Sequence, residues 1–205
     1  MTCHPEYYIP AETVSTKTEI KKSKFITTIT AATSKEMILP FFQKIRDQYT
    51  GANHNCFAYI VGNPKSPVDI GFSDDGEPSG TAGKPILGVL QHNNIGNAAV
   101  IVTRFFGGTK LGTGGLVRAY SAAVKIVIEK VSLNGFIESS CLQVSVPFQF
   151  ESNVRHLLST FNLTVINQKY SEDVLIEINV PKNILGILRK KVNDITKGTV
   201  RFDTK

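Results

Sequence analysis

At 205 residues, with ordinary apolar and charged fractions, the chain reads as a soluble globular protein of one large or two small domains. Its 23 basic and 17 acidic side chains leave a net charge of +6, a mild excess that permits a nucleic acid or another polyanion as partner without requiring one. Cys3, Cys56 and Cys141 are scattered and lack a CxxC spacing, which excludes a disulfide framework or a Cys-rich zinc site and fits a reducing compartment.

In chain order, β-branched residues alternate with charged ones from Thr13 to Thr30, predicting two antiparallel strands with Lys21 to Lys24 near their turn. Ser34 reads as a helix N-cap, and Met37, Ile38, Phe41, Phe42 and Ile45 recur at helical spacing toward Tyr49. A strand is expected over 55–61, and another over 67–73. An acidic loop, Asp74-Asp75-Gly76-Glu77-Pro78, follows, then a helix over 81–91 with Pro85 in its first turn. Residues 98–103 (AAVIVT) predict a buried strand that delivers Arg104 and a loop with five glycines among the nine residues from Gly107 to Gly115. A helix is expected over 116–131.

Asn134-Gly135 reads as a turn, and a domain boundary is placed around it, giving a first domain over 1–135 and a second over 139–205. The second domain predicts strand, helix, strand, strand, helix, strand, the βαββαβ order of a ferredoxin-like domain. The expected class is therefore α+β in two domains, the first an α/β sandwich with a helix-covered sheet. Arg189-Lys190-Lys191 is expected on a solvated helix face. The N-terminus has no basic segment leading into an apolar run, and the uncharged stretch 85–103 is broken by Gln91-His92-Asn93-Asn94. No secretory signal or membrane span is expected, and a cytoplasmic location is.

The glycine-rich loop invites a nucleotide reading that its spacing refuses. Six residues from Gly107 lead to Gly112, but Thr113 follows where a P-loop needs Lys, and Gly112-Thr113-Gly114 lacks the third glycine of a dinucleotide fingerprint. What survives is an anion or RNA-phosphate site. Its elements are Gly107, Gly108, Gly112, Gly114 and Gly115 at a strand end and helix N-terminus, with Arg104, Lys110 and Arg118 adding charge. Asp74, Asp75 and Glu77 are too few for a convincing hard-metal site; capping of the next helix or pairing with Arg104 and Arg118 explains them as well. His54 reads as a hydrogen-bonded structural residue, and Cys56 is awkwardly placed to use it as a base. No catalytic set, metal or cofactor is expected.

Three blocks carry a resemblance. His54-Asn-Cys-Phe-Ala-Tyr59, Asp74 through Leu87, and Val102 through Tyr120 resemble the signature of the Impact family in its bacterial form. That resemblance implies an N-terminal domain like the second domain of a small-subunit ribosomal protein and the fourth domain of elongation factor G. It implies a C-terminal ferredoxin-like domain like the fifth domain of that factor. The resemblance implies that eukaryotic relatives regulate translation with the help of an additional N-terminal RWD domain; none is expected in this sequence, so their partner is not carried over. Phe105 stands where many relatives have Tyr. The resulting expectation is a non-enzymatic RNA- or ribosome-associated protein with a role in regulating translation and no DNA specificity. The alternatives are a hydrolase using His54, Asp74, Asp75 and Glu77 on a phosphorylated or peptide substrate, and a module that sequesters a translation-control protein.

Overall fold

The computed structural model describes residues 5–204; Cys3 lies outside them. The chain forms two compact units, one over Pro5–Phe136 and one from Ile137 onward.

The first unit is built on an antiparallel five-stranded sheet of β2 (Val14–Ile20), β3 (Ser23–Ala31), β6 (Ala98–Phe105), β4 (His54–Asn63) and β5 (Ser66–Ser73), in that spatial order. Helix α1 (Lys35–Gln48) covers one face, packing Ile38, Phe42 and Ile45 on Tyr59, Val61, Ala99 and Ile101. Helices α2 (Gly83–His92) and α3 (Thr113–Lys130) cover the other, against Phe25, Ile29, Ala58, Ile60, Val100 and Val102. Being covered on both faces is why β6 reads as a continuous apolar run rather than an alternating one. β2, at the sheet edge, keeps its alternation.

The β2–β3 connection is a two-residue turn in which Lys21 and Lys22 both have positive φ, 49° and 66°. The turn class whose twist suits a hairpin requires this backbone, and it normally draws Asn-Gly. Gly107 rests against this turn. A Cβ there would stand 2.0 Å from the carbonyl carbon and oxygen of Lys22, so only glycine fits.

The segment read as a turn at Asn134-Gly135 is instead β7 (Leu133–Phe136), which pairs antiparallel with β1 (Tyr7–Pro10) in the register Tyr7↔Phe136 to Pro10↔Leu133. The Asn-Gly pair is extended because this partner from the far end of the unit satisfies its backbone, an arrangement local propensity cannot report.

The second unit comprises β8 (Ser139–Val146), α4 (Glu151–Thr160), β9 (Val165–Tyr170), β10 (Val174–Pro181), α5 (Lys182–Ile195) and β11 (Arg201–Thr204). The order is βαββαβ, and the antiparallel sheet runs β11-β8-β10-β9. Alternate residues Leu142, Val144 and Val146 on β8 and Val174, Ile176, Ile178 and Val180 on β10 pack against Val154, Leu157 and Leu158 of α4 and Leu188 and Val192 of α5. Of the basic triplet on α5, Lys190 and Lys191 are exposed, while Arg189 is half-buried; Arg189 lies 5.6 Å from the ring centre of Phe202, and Lys191 5.3 Å from that of Phe161. Among the described residues, no helix is long and apolar enough to cross a membrane.

Candidate functional site

The acidic loop leaves the end of β5 and folds over the start of β4. Asp74 acts as a cap. Its Oδ1 accepts the N–H groups of Ala82 and Gly83 at 2.9 and 2.8 Å, and its Oδ2 accepts that of Gly80 at 2.8 Å. Gly83 sits so close to β5 that a Cβ would meet the backbone of Ser73 at 2.7 Å, which keeps α2 within reach of this carboxylate. Burial opposes ionisation of Asp74, but the three N–H donors outweigh it and hold the pKa below the ordinary carboxylate value.

A depressed folded-state pKa means that Asp74 stabilises the fold above its unfolded pKa, near 4, and that this contribution is lost as pH falls through the folded value. Asp74→Ala is expected to lower stability by about 1–2 kcal/mol at neutral pH. In urea titrations at stepped pH, the gap from the parent should close only in acid.

Asp75 has φ 44° and turns outward, where its Oδ2 accepts the Asn55 N–H at 2.6 Å and its Oδ1 lies 3.8 Å from Arg46. Neither aspartate meets Arg104 or Arg118, so the pairing expected for them is redistributed. Helix capping takes Asp74, β4 and α1 take Asp75, and only Glu77 pairs with Arg104.

That pair is the buried centre of the region. Arg104 is 4% exposed and Glu77 8%, and Arg104 Nη1 donates to Glu77 Oε1 at 2.6 Å. The same oxygen accepts the hydroxyl of Tyr120 on α3 at 2.7 Å. The guanidinium also donates to Ser23 Oγ at 3.3 Å, and its carbon lies 5.6 Å from the ring centres of both Phe25 and Phe106. Its Nε is buried without a hydrogen-bond partner. Arg104 is therefore neutralised by Glu77 rather than presented as a free charge, and its role is to fix the floor of the site.

Behind it, Cys56 donates its single S–H to the Asp74 carbonyl at 2.9 Å, and its Sγ lies 3.3 Å from the Tyr120 oxygen. Burial pushes the Cys56 pKa up to about 12, and burial with the nearby Cys56 and Glu77 pushes that of Tyr120 upward as well. Cys56 is thus held as a neutral core thiol, not as a nucleophile. His54, two residues away, donates Nδ1–H to the Asp75 carbonyl at 2.8 Å, since a carbonyl can only accept. This leaves its Nε2 3.9 Å from Glu77 Oε1.

The glycine-rich loop closes the other side. Gly107 donates its N–H to Ser23 Oγ at 3.2 Å, and Asn53 Oδ1 accepts the N–H of Phe106 at 2.7 Å, so the loop entrance is tied to β3 and to the residue just before β4. Gly108 and Gly112 have φ of 84° and 72° and turn the chain. Gly112 then serves as N-cap of α3 with no side-chain cap. The N–H groups of Thr113, Gly114 and Gly115 have no partner among the described residues, the ordinary condition of a helix start without a cap.

These parts enclose a cleft of about 320 Å³ whose walls include His54, Glu77, Arg104, Phe106, Lys110 and Thr113. Lys110 is exposed and forms no ion pair among the described residues. Gly112 borders the cleft, but Gly114, Gly115 and Arg118 are not among its walls. Arg118 folds back toward Gly114, its Nη1 3.7 Å from where a Cβ of that residue would stand. The uncapped start of an 18-residue helix beside a free lysine has the electrostatics to hold a phosphate or carboxylate. Among the described residues no group of three or more His, Cys, Asp or Glu side chains is arranged to hold a metal ion. Tyr120, Ser23 and Phe106 escaped the sequence reading. Tyr120 sits at apolar helix spacing, and the one clue to its role is that a buried phenol needs a hydrogen-bond partner.

The Impact N-terminal domain family pattern matches residues 21–128, and a domain of unknown function (DUF1949) matches residues 144–199. IMPACT family member YigZ of Escherichia coli K12 is 32% identical over 96% of this chain and 96% of its own length. An IMPACT family member of Haemophilus influenzae is 31% identical over 94% of each chain. A crystal structure of a hypothetical protein superposes with a TM-score of 0.64 at 31% identity, covering 98% of this chain and 97% of that one.

Proposed function

This chain belongs to the IMPACT family, and we propose that it works as a non-enzymatic cytoplasmic protein that binds RNA or the ribosome and regulates translation, gripping an RNA phosphate in the cleft at the head of α3. The observation that carries this reading is the meeting of the uncapped head of α3 at Gly112 and Thr113, a lysine without an ion pair among the described residues and an aromatic ring at one opening, with the N–H groups of Gly114 and Gly115 following in the same first turn. A phosphate oxygen takes the N–H groups, Lys110 adds charge, and Phe106, 46% exposed, offers a face to a neighbouring base. Glu77 and Arg104 cancel each other's charge, so the cleft selects through shaped donors more than through net charge.

The ferredoxin-like second unit, together with the first, gives the two-domain plan of ribosome-associated factors, which supports a setting in translation by analogy of fold. The test is the salt dependence of affinity for a single-stranded RNA. Lys110→Ala should weaken binding and flatten the slope of log K against log salt by roughly 0.7, the share of one phosphate contact on a single strand. An unchanged slope removes Lys110 from the interface.

A further inference from the structure

The end of β6 sends two consecutive aromatic side chains to opposite faces of the sheet. Phe106 enters the cleft just described, while Phe105 lines a second depression, on the face that carries α1. This groove, about 530 Å³, is walled by Lys17, Glu19, Lys24, Ile26 and Phe105 among others. Strand register builds it. Glu19, Lys24 and Phe105 stand side by side across β2, β3 and β6, and Lys17 stands opposite Ile26.

Four lysines fall between residues 17 and 24 against one glutamate, and among the described residues none of the four is held in an ion pair. Lys21 and Lys22 occupy the positive-φ turn positions that favour Asn-Gly, so cationic side chains stand where the backbone would prefer others. Gly107 lies directly on Lys22, and Ser23 bonds both Gly107 and Arg104, so the lysine hairpin and the glycine-rich loop form one fixed rim.

We propose that this groove is a second nucleotide-binding site, in which a base of single-stranded RNA stacks on Phe105 and flanking phosphates contact Lys17 and Lys24. Lys21 and Lys22 lead the RNA backbone past Gly107 toward the α3 cleft. An aromatic wall with unpaired lysines at its border matches the chemistry of a single strand, whose bases are free to stack and whose phosphates require cations. The inference rests on the RNA reading of the cleft and adds a distinct contact to it.

The chain contains no tryptophan, so Phe105→Trp and Phe106→Trp each supply a single fluorescent reporter, one per depression. Titrated with oligouridine, both reporters should be quenched saturably. Quenching of the Phe105→Trp reporter should persist when Lys110→Ala is added. Quenching of the Phe106→Trp reporter alone overturns the groove and leaves the cleft reading standing; no quenching in either protein, with no rise in anisotropy of labelled oligouridine, overturns both. A second measurement needs no change at Phe105. The exposed pair Lys17→Ala with Lys24→Ala, in the otherwise unaltered chain, should lower the salt slope by roughly 1.4, two contacts' worth, and an unchanged slope overturns the inference.

Discussion

Glu77→Ala is expected to destabilise the first unit by about 3–5 kcal/mol, measured as the shift in free energy of urea unfolding at neutral pH. The cost is not the strength of the 2.6 Å ion pair in isolation. Removal of the carboxylate leaves Arg104, 4% exposed, as an uncompensated charge between two aromatic rings. It also strips the buried Tyr120 hydroxyl of its acceptor. Glu77→Gln separates these effects. The amide keeps an acceptor for Tyr120 and much of the packing but loses the charge, so its cost should be large yet smaller than that of alanine. A loss below about 1 kcal/mol for Glu77→Ala would show that Arg104 finds solvent or another partner, contradicting its role as a fixed floor.

Gly107→Ala should cost about 3 kcal/mol or more, because the obstacles are backbone atoms of Lys22 at 2.0 Å and cannot swing aside as a side chain could. Neighbouring glycines provide the controls. At Gly108, with φ 84° and no atom within 4 Å of a Cβ, alanine faces only backbone strain of roughly 1–2 kcal/mol. At Gly114, in the first turn of α3, the nearest atom is Arg118 Nη1 at 3.7 Å, so alanine should be neutral or stabilise by up to about 1 kcal/mol through the unfolded chain. Thermal unfolding of the three variants should rank them Gly107, Gly108, Gly114 from worst to best. Equal losses would mean that the loop's glycines share one role.

This ranking bears on what the sequence could reveal. The density of glycines marked the loop, but the reason differs at each position: contact with a distant hairpin at Gly107, positive φ at Gly108 and Gly112, and the opening turn of a helix at Gly114 and Gly115. Only the last two kinds of reason have a local signature. The βαββαβ order of the second unit and the buried strand β6 were legible because their apolar periodicity is local and strong. The pairing of β1 with β7 was not, since it joins the two ends of the first unit and sets an Asn-Gly pair in extended backbone.

The acidic loop was recognisable as a unit, yet its three carboxylates have three fates. Asp74 caps α2, Asp75 ties the loop to β4, and Glu77 is buried under Arg104. Spacing could not assign them, because which carboxylate turns inward depends on the positive φ of Asp75 and Gly76. Lys110 and the N–H groups of α3 were read as anion-binding from sequence; the structure sets Lys110 on the same cleft as Thr113, while Arg118 lies apart from it.

Amide chemical shifts report directly on the backbone at the head of α3. In a ¹⁵N-labelled protein titrated with oligouridine at low salt, the amides of Thr113, Gly114 and Gly115 should shift together and saturate with a single affinity. Lys110→Ala should weaken that affinity without altering the direction of the shifts. If RNA binds to saturation and these three amides stay where they are, the cleft is not where phosphate is held.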